Sequence, residues 1–328
     1  MAELLIFGAK FLIAIIMILL LLIGILAIIM RGREKMTGRF QLKHLNKKFE
    51  EIKDHLQAEL LPAKEYKAFH KAEKNAEKER SKSKEASERK RIFLINFHGD
   101  IKASGICALR EEVTAILSVA KPTDEVVVKL ESGGGMVHAY GLATSQLQRF
   151  RNCNIPLTVI IDKIAASGGY MMACVANRIV AAPFALIGSI GVLVQLPNFH
   201  RLLQDKHIDF EQLTAGNYKR TLTLFGENTE QGREKMREEL EAIHQLFKNL
   251  IRSYRQNIDI DKVATGEHWT GTEALSLHLV DHLQTSDDWL FQHAATADIY
   301  EIHYHTKKTL SEKIFASAQS FKSALFGI

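Results

Sequence analysis

From position 11 to 30 every residue is apolar or glycine, twenty in a row. In a helix rising about 1.5 Å per residue, that run matches a hydrocarbon core of roughly 30 Å and predicts a transmembrane helix. It exceeds the apolar core of a signal peptide. It also runs into Arg31-Gly32-Arg33 instead of a small-residue cleavage site, so residues 1–30 are expected to stay as an N-terminal membrane anchor. Residues 31–91 are rich in Lys, Glu, Ala and Arg, and 64–91 hold almost no large apolar side chain. Such a stretch predicts a charged helical stem that cannot supply a core.

The pattern changes at Ile92. Apolar runs of strand length at 92–97, 126–130, 157–162 and 178–182 alternate with helix-length segments at 106–119 and 136–150. That alternation predicts crossover βα units and an α/β domain over 92–290. A long helix is expected after Asn228-Thr229, a capping signal, with Met236, Leu240, Ile243, Phe247, Leu250, Ile251 and Tyr254 recurring at three- and four-residue steps. Its apolar face is expected to be buried against the domain or a neighbouring subunit. Residues 291–328 read as a C-terminal strand and an amphipathic tail, where Leu310, Ile314, Phe315, Ala318, Phe321 and Leu325 recur beside lysines.

Charge sharpens this picture. The 43 Lys and Arg against 38 Asp and Glu leave a net +5, and the basic residues crowd into the first ninety positions among acidic ones. That suits a membrane-proximal stem better than a nucleic-acid surface, so no nucleic-acid partner is expected. The three cysteines, Cys107, Cys153 and Cys174, show no CxxC spacing. Neither a zinc site nor a disulfide framework is indicated, and the three are expected to be buried or inert.

Two turns carry candidate chemistry. Ala165-Ala166-Ser167-Gly168-Gly169-Tyr170 lies between the strand-like LTVIID and the helix-compatible MMACVA. A serine at such a strand-to-helix turn presents its hydroxyl beside free backbone N–H groups, although the same turn also serves as an ordinary cap. Glu131-Ser132-Gly133-Gly134-Gly135-Met136 is a glycine loop whose N–H groups suit an oxyanion or a phosphate, and equally a plain flexible connection. No Gly-Lys-Ser/Thr follows, and His138 stands where a dinucleotide fingerprint needs its third glycine. A Ser-His-Asp triad would draw on His98, His138, His200, His244 or His268 with Asp162, none of which sits in a distinguishing signature.

The ordered set ESGGG, AASGGYM, APFALIGSIGV, TAGNYKRTL and GEHWTGTEAL…LVD resembles the S49 peptidases, the signal peptide peptidase A group, over residues 91–290. Within that group the anchor-and-stem layout resembles the half-length, single-anchor members. The resemblance implies a ClpP/crotonase-type spiral α/β fold and a Ser-Lys dyad that cuts peptides. Carried over by position, the nucleophile is Ser167 and the general base Lys219. The oxyanion donors are the amides of Gly135 and Gly168, with Gly134 as the alternative, and Ser189 is a hydroxyl that orients the lysine. Gly133 replaces a usual proline in the glycine loop, and His278 replaces a common glycine before Leu279-Val280-Asp281. No metal and no organic cofactor is implied.

A solvated lysine, with a pKa of about 10.4, is charged at neutral pH, so a dyad requires its amine to be desolvated and free of carboxylates. The resemblance further implies substrates that are peptides or unfolded segments near the membrane, such as signal-peptide remnants, and a homo-oligomer whose sites are shared between protomers. Two other classes stay open, an acyl-CoA enzyme on the same superfamily fold and a non-catalytic membrane scaffold. Membrane side is a conflict. Arg31, Arg33, Lys35, Arg39, Lys43, Lys47 and Lys48 flank the anchor and point to a cytoplasmic body, whereas the resemblance points to the periplasmic face of a bacterial inner membrane, which is the side favoured.

Overall fold

The computed structural model describes residues 38–82 and 89–306. The expected anchor at 11–30 and the tail after Thr309 lie outside the described residues. Among those described, no helix is long and apolar enough to cross a membrane. Two compact units are distinguished. In the smaller, described at 38–41 and 304–306, the Gly38 N–H donates to the Tyr304 hydroxyl at 2.8 Å, and Gln41 Oε1 lies 2.8 Å from His305 Nε2. The larger, 42–303, holds every residue of the candidate site.

In chain order the elements are β1 (Arg39–His44), α1 (Leu45–Leu60), α2 (Ala63–Lys82), β2 (Lys90–Gly99), α3 (Ile106–Val119), β3 (Glu125–Ser132), α4 (Val137–Asn152) and β4 (Leu157–Ile161). There follow β5 (Ile164–Ala166), α5 (Gly168–Ala173), β6 (Arg178–Ala181), β7 (Leu186–Gly188), α6 (His200–Asp205) and α7 (Glu230–Tyr254). The last described elements are α8 (Ile260–Val263), β8 (His268–Thr270), α9 (Gly271–Ser276), β9 (His282–Leu283), α10 (Ser286–Ala294) and β10 (Ala297–His305).

The long strands are apolar at nearly every position because the sheet is covered on both faces. Along β2, Phe93, Ile95 and Phe97 enter one core while Ile92 and Leu94 enter the other, and β3 splits likewise, Val126 and Val128 against Val127. The larger core lies under α3, α4, α5 and α7, the smaller under α1 and α10. All neighbours in the run β10-β2-β3-β4-β6-β9 are parallel. The predicted α/β architecture is therefore present, and the helix expected at 106–119 is α3.

The stem is not wholly solvated. Leu45 at the start of α1 is buried in the smaller core, and Asn46 beside it has its polar atoms satisfied. Its amide donates to the Ala294 and Ala297 carbonyls at 2.9 Å each, and its oxygen accepts from the Ile299 N–H at 2.8 Å. The first turn of α1 is thus docked on α10 and β10. The long helix α7 is capped as expected, the Thr229 hydroxyl accepting from the Gly232 N–H at 3.1 Å, and it buries Phe247 and Ile251. Its far end is tied down by Arg255, whose guanidinium bridges both Asp281 oxygens at 2.6 and 2.9 Å.

Candidate active site

Two short pairings bring the chemistry to one rim of the sheet. Ser132, the last residue of β3, pairs with Ala165 in β5, and β5 pairs with β7 so that Ala166 faces Gly188. The serine turn therefore does not leave the apolar strand β4 directly. After Asp162 the chain starts the separate strand β5, which branches off alongside β7.

Ser167 follows β5 and Ser189 follows β7, both in the left-handed region with φ of 52° and 51°. With ψ at −119°, Ser167 holds a conformation that costs a non-glycine residue on the order of 1–3 kcal/mol. Its neighbours enforce it. The Ser167 N–H donates to the Gly188 carbonyl at 2.7 Å, and the Ser167 carbonyl accepts from the Met171 N–H at 2.9 Å. The hydroxyl itself meets no hydrogen-bond partner among the described residues, and it stands where the first amides of α5 lack intrahelical acceptors.

The glycine loop lies against this turn. Gly134 has a φ of 89°, and a Cβ there would stand 2.7 Å from the Gly168 nitrogen and 2.8 Å from Ser167 Cβ, so only glycine permits the approach. The loop amides are differently employed. The Gly134 N–H donates to Ser132 Oγ at 3.0 Å and the Met136 N–H to the Ile101 carbonyl at 2.8 Å. The Gly135 N–H between them finds no acceptor among the described residues, and neither does that of Gly168. Gly135, Ser167 and Gly168 share one recess walled by Val137, Met171, Val192, Ile243 and Phe247. The recess is narrow, about 20 Å³, on the order of one or two water molecules.

Beneath it runs a buried polar chain. Tyr140 Oη gives its single proton to the Asp100 carbonyl at 2.8 Å, so in its 2.5 Å contact with Ser132 it accepts, and Ser132 Oγ in turn accepts from Gly134. Burial pushes the Tyr140 phenol above its ordinary range, partly offset by the bond from Ser132, and keeps it the donor to Asp100. Sequence reasoning quoted Ser132 without a role and passed over Tyr140. The available signal was a tyrosine one turn into the helix that follows a glycine loop.

Lys219 is not among the residues lining the recess. It is exposed on the long irregular connection between α6 and α7, its N–H donating to the Gly216 carbonyl at 3.1 Å, and it makes no ion pair among the described residues. The connection is anchored on both sides of it. The Tyr218 ring lies 5.3 Å from the Lys235 ammonium on α7, and Asn198 and Asn228 both bond the backbone of Thr223.

No histidine lines the recess either. Asp162, the candidate third member of a triad, is engaged by Lys129 at 2.9 Å and by the Ser286 hydroxyl and N–H at 2.6 and 2.8 Å. Burial alone would raise its pKa, but those bonds outweigh it and hold the carboxyl below its usual value. Cys174 is buried with its thiol pushed up to about 12 by desolvation, whereas Cys107 and Cys153 are exposed. Among the described residues no cluster could hold a metal. A larger cleft, about 280 Å³ at the end of α7, is lined by Arg255, His278 and Asp281. There Arg255 is already committed to Asp281 and the His278 carbonyl.

Residues 1–147 match the family described as Peptidase family S49 N-terminal, and residues 149–299 match Peptidase family S49. The chain is 45% identical over 322 residues to the Probable protease SohB of Haemophilus influenzae, covering 94% of this chain and 91% of that protein. It is 47% identical to the Probable protease SohB of Buchnera aphidicola subsp. Schlechtendalia chinensis, over 83% of this chain and 93% of the relative. Among solved structures, a mutant of the 1510-N membrane-bound stomatin-specific protease aligns with a TM-score of 0.42 at 15% identity, over 62% of this chain and 84% of the other.

Proposed function

The chain belongs to peptidase family S49, and from that premise we propose that it is a membrane-anchored serine endopeptidase with Ser167 as nucleophile and Lys219 as general base. The observation that carries this reading is the Ser167 turn, strained, with a hydroxyl that, like the amides of Gly135 and Gly168 beside it, has no partner among the described residues. In the first step Ser167 Oγ bonds to the scissile carbonyl carbon and its proton passes to the Lys219 amine. The carbonyl oxygen takes the negative charge between the Gly135 and Gly168 amides, which are in place before the charge develops. Collapse expels the amine with the proton from Lys219, leaving an ester on Ser167. Water, deprotonated by the same lysine, then releases the acid. Gly134 is the weaker candidate donor, because its amide is already given to Ser132. Ser189, at the end of the strand beside Ser167, is the hydroxyl assigned to orient the amine.

An exposed lysine cannot serve as a neutral base, so the reading requires a second copy to bury it. The connection that carries Lys219 suits such burial, with Leu213 96% exposed and Phe210, Tyr218 and Phe225 also open to solvent. In the proposed assembly, Lys219 of one protomer meets Ser167 of the next around a closed ring. Attachment to a bacterial inner membrane through residues 11–30, with the body favoured on the periplasmic face, completes the proposal. Removing residues 1–30 is expected to leave a soluble protein that still cleaves a short peptide. Persistent membrane binding of that protein would place a second attachment elsewhere.

The narrow recess gives a further expectation. It admits a methyl group and little more, so peptides with alanine at the acylated position are expected to exceed their phenylalanine counterparts in kcat/KM by at least tenfold. Ile243→Ala removes part of the wall without touching the reacting groups and is expected to shift preference toward leucine. Equal kcat/KM for alanine and phenylalanine substrates would show that this recess does not receive the side chain.

A further inference from the structure

We propose that Tyr140, acting through Ser132, is the positioning residue that sets the geometry of the oxyanion hole. The inference rests on the reading of Gly135 and Gly168 as the oxyanion donors, and it goes beyond that reading by naming what holds them. The two donors belong to different turns, one after β3 and one after β5, which the Ser132–Ala165 pairing and the close approach of Gly134 to Gly168 bring side by side without setting the direction of either amide. Tyr140 touches both. Its ring lies directly beneath Gly168, where a Cβ would stand 2.4 Å from Tyr140 Cγ. Its hydroxyl lies 2.5 Å from Ser132 Oγ, which accepts from the Gly134 N–H at 3.0 Å.

The Gly134 bond fixes one peptide plane of the loop, and the Met136 bond to the Ile101 carbonyl fixes the plane two residues on. The intervening Gly135 amide, without an acceptor among the described residues, has its direction set by the two fixed planes. The Asp100 carbonyl closes the chain by accepting from Tyr140 Oη. Ser132 and Tyr140 are 2% and 0% exposed. In so dry a setting a chain of hydrogen bonds is stiff, and a missing member leaves a buried group unpaired. A phenylalanine would fill nearly the same space, so packing explains the ring and leaves the hydroxyl unexplained. The relay supplies its role.

The test uses the full-length protein, an alanine fluorogenic peptide, and an alanyl peptide boronic acid whose tetrahedral adduct on Ser167 places an oxygen in the hole. Tyr140→Phe keeps the ring against Gly168 and cuts the relay, and Ser132→Ala cuts it at the other end. Each is expected to lower kcat roughly 10- to 100-fold, short of the loss seen when a donor itself is removed, with KM within about twofold. Boronate affinity is expected to fall by the same factor as kcat/KM. Because the relay is one unit, the double variant is expected to be little worse than either single one.

Parent-like kcat and boronate affinity in both variants would overturn the proposal. So would losses that follow the fraction of folded protein while the folded fraction binds boronate as the parent does. Ser167→Ala separates the two levels of the argument. If that variant still cleaves the peptide, the hydrolytic reading itself has failed. If it is dead while Tyr140→Phe is parent-like, only the relay has failed.

Discussion

Ser167→Ala is expected to lower kcat for an alanine peptide by about 10⁵-fold or more, the scale on which serine hydrolases lose activity when the nucleophile is removed. KM should change little, because the recess and the Gly135 and Gly168 amides beside it remain. The loss should not be a folding effect, since the Ser167 hydroxyl bonds to nothing among the described residues. A companion variant separates strain from chemistry. Ser167→Gly removes the hydroxyl and also removes the penalty of a side chain at φ 52° and ψ −119°. It is expected to be as inactive as Ser167→Ala yet more stable by about 1 kcal/mol, read as a raised midpoint of thermal unfolding. A Ser167→Gly protein less stable than its parent would show that the turn is unstrained, and would weaken the case that the fold forces this serine into its exposed position.

Lys219→Arg is expected to be nearly as damaging. Arginine keeps the reach, but its guanidinium stays protonated and cannot take the Ser167 proton. Near-parent cleavage by this variant would remove Lys219 from the mechanism. The shared site makes a sharper demand. Ser167→Ala and Lys219→Ala proteins are each inactive, but when they are co-assembled in equal amounts about a quarter of the interfaces receive Ser167 from one protomer and Lys219 from the other. Recovery of about that fraction of parent activity is expected. A mixture that co-assembles and stays inactive would place both residues in one subunit, leaving the chemistry standing and removing the shared site.

The framework of the fold was legible because its strands are buried on both faces. The IFLINF run of β2 can hardly be anything else, and α3 announces itself by its apolar spacing. The site was legible only in part. Ser167, Gly134, Gly135, Gly168 and Ser189 were all marked by motif. The strands that lead into Ser167, Gly168 and Ser189, β5 and β7, are three residues long, too short for any periodicity to register. Their positions follow from pairings such as Ala166 with Gly188, which no local pattern records.

The choice between Gly134 and Gly135 was open in the sequence for the same reason. The bond from Gly134 to Ser132 that sets the two amides apart depends on the loop's path. The relay to Asp100 was invisible because its members lie 8 and 40 positions apart along the chain. The docking of Asn46 on β10 spans 253 positions, so the stem read as more solvated than it is.

The identity of Ser167 as the nucleophile is tested most directly by labelling the full-length protein with a fluorophosphonate and locating the adduct by mass spectrometry. One phosphonylated serine is expected, at Ser167, with labelling lost in Ser167→Ala. Labelling should be strongly slowed in Lys219→Arg, because the same proton must leave Oγ for phosphorus to be attacked. An acyl-CoA enzyme or a non-catalytic scaffold would give no such adduct. An unlabelled Ser167 in protein that cleaves peptides, or an adduct on another serine that survives Ser167→Ala, would contradict the account.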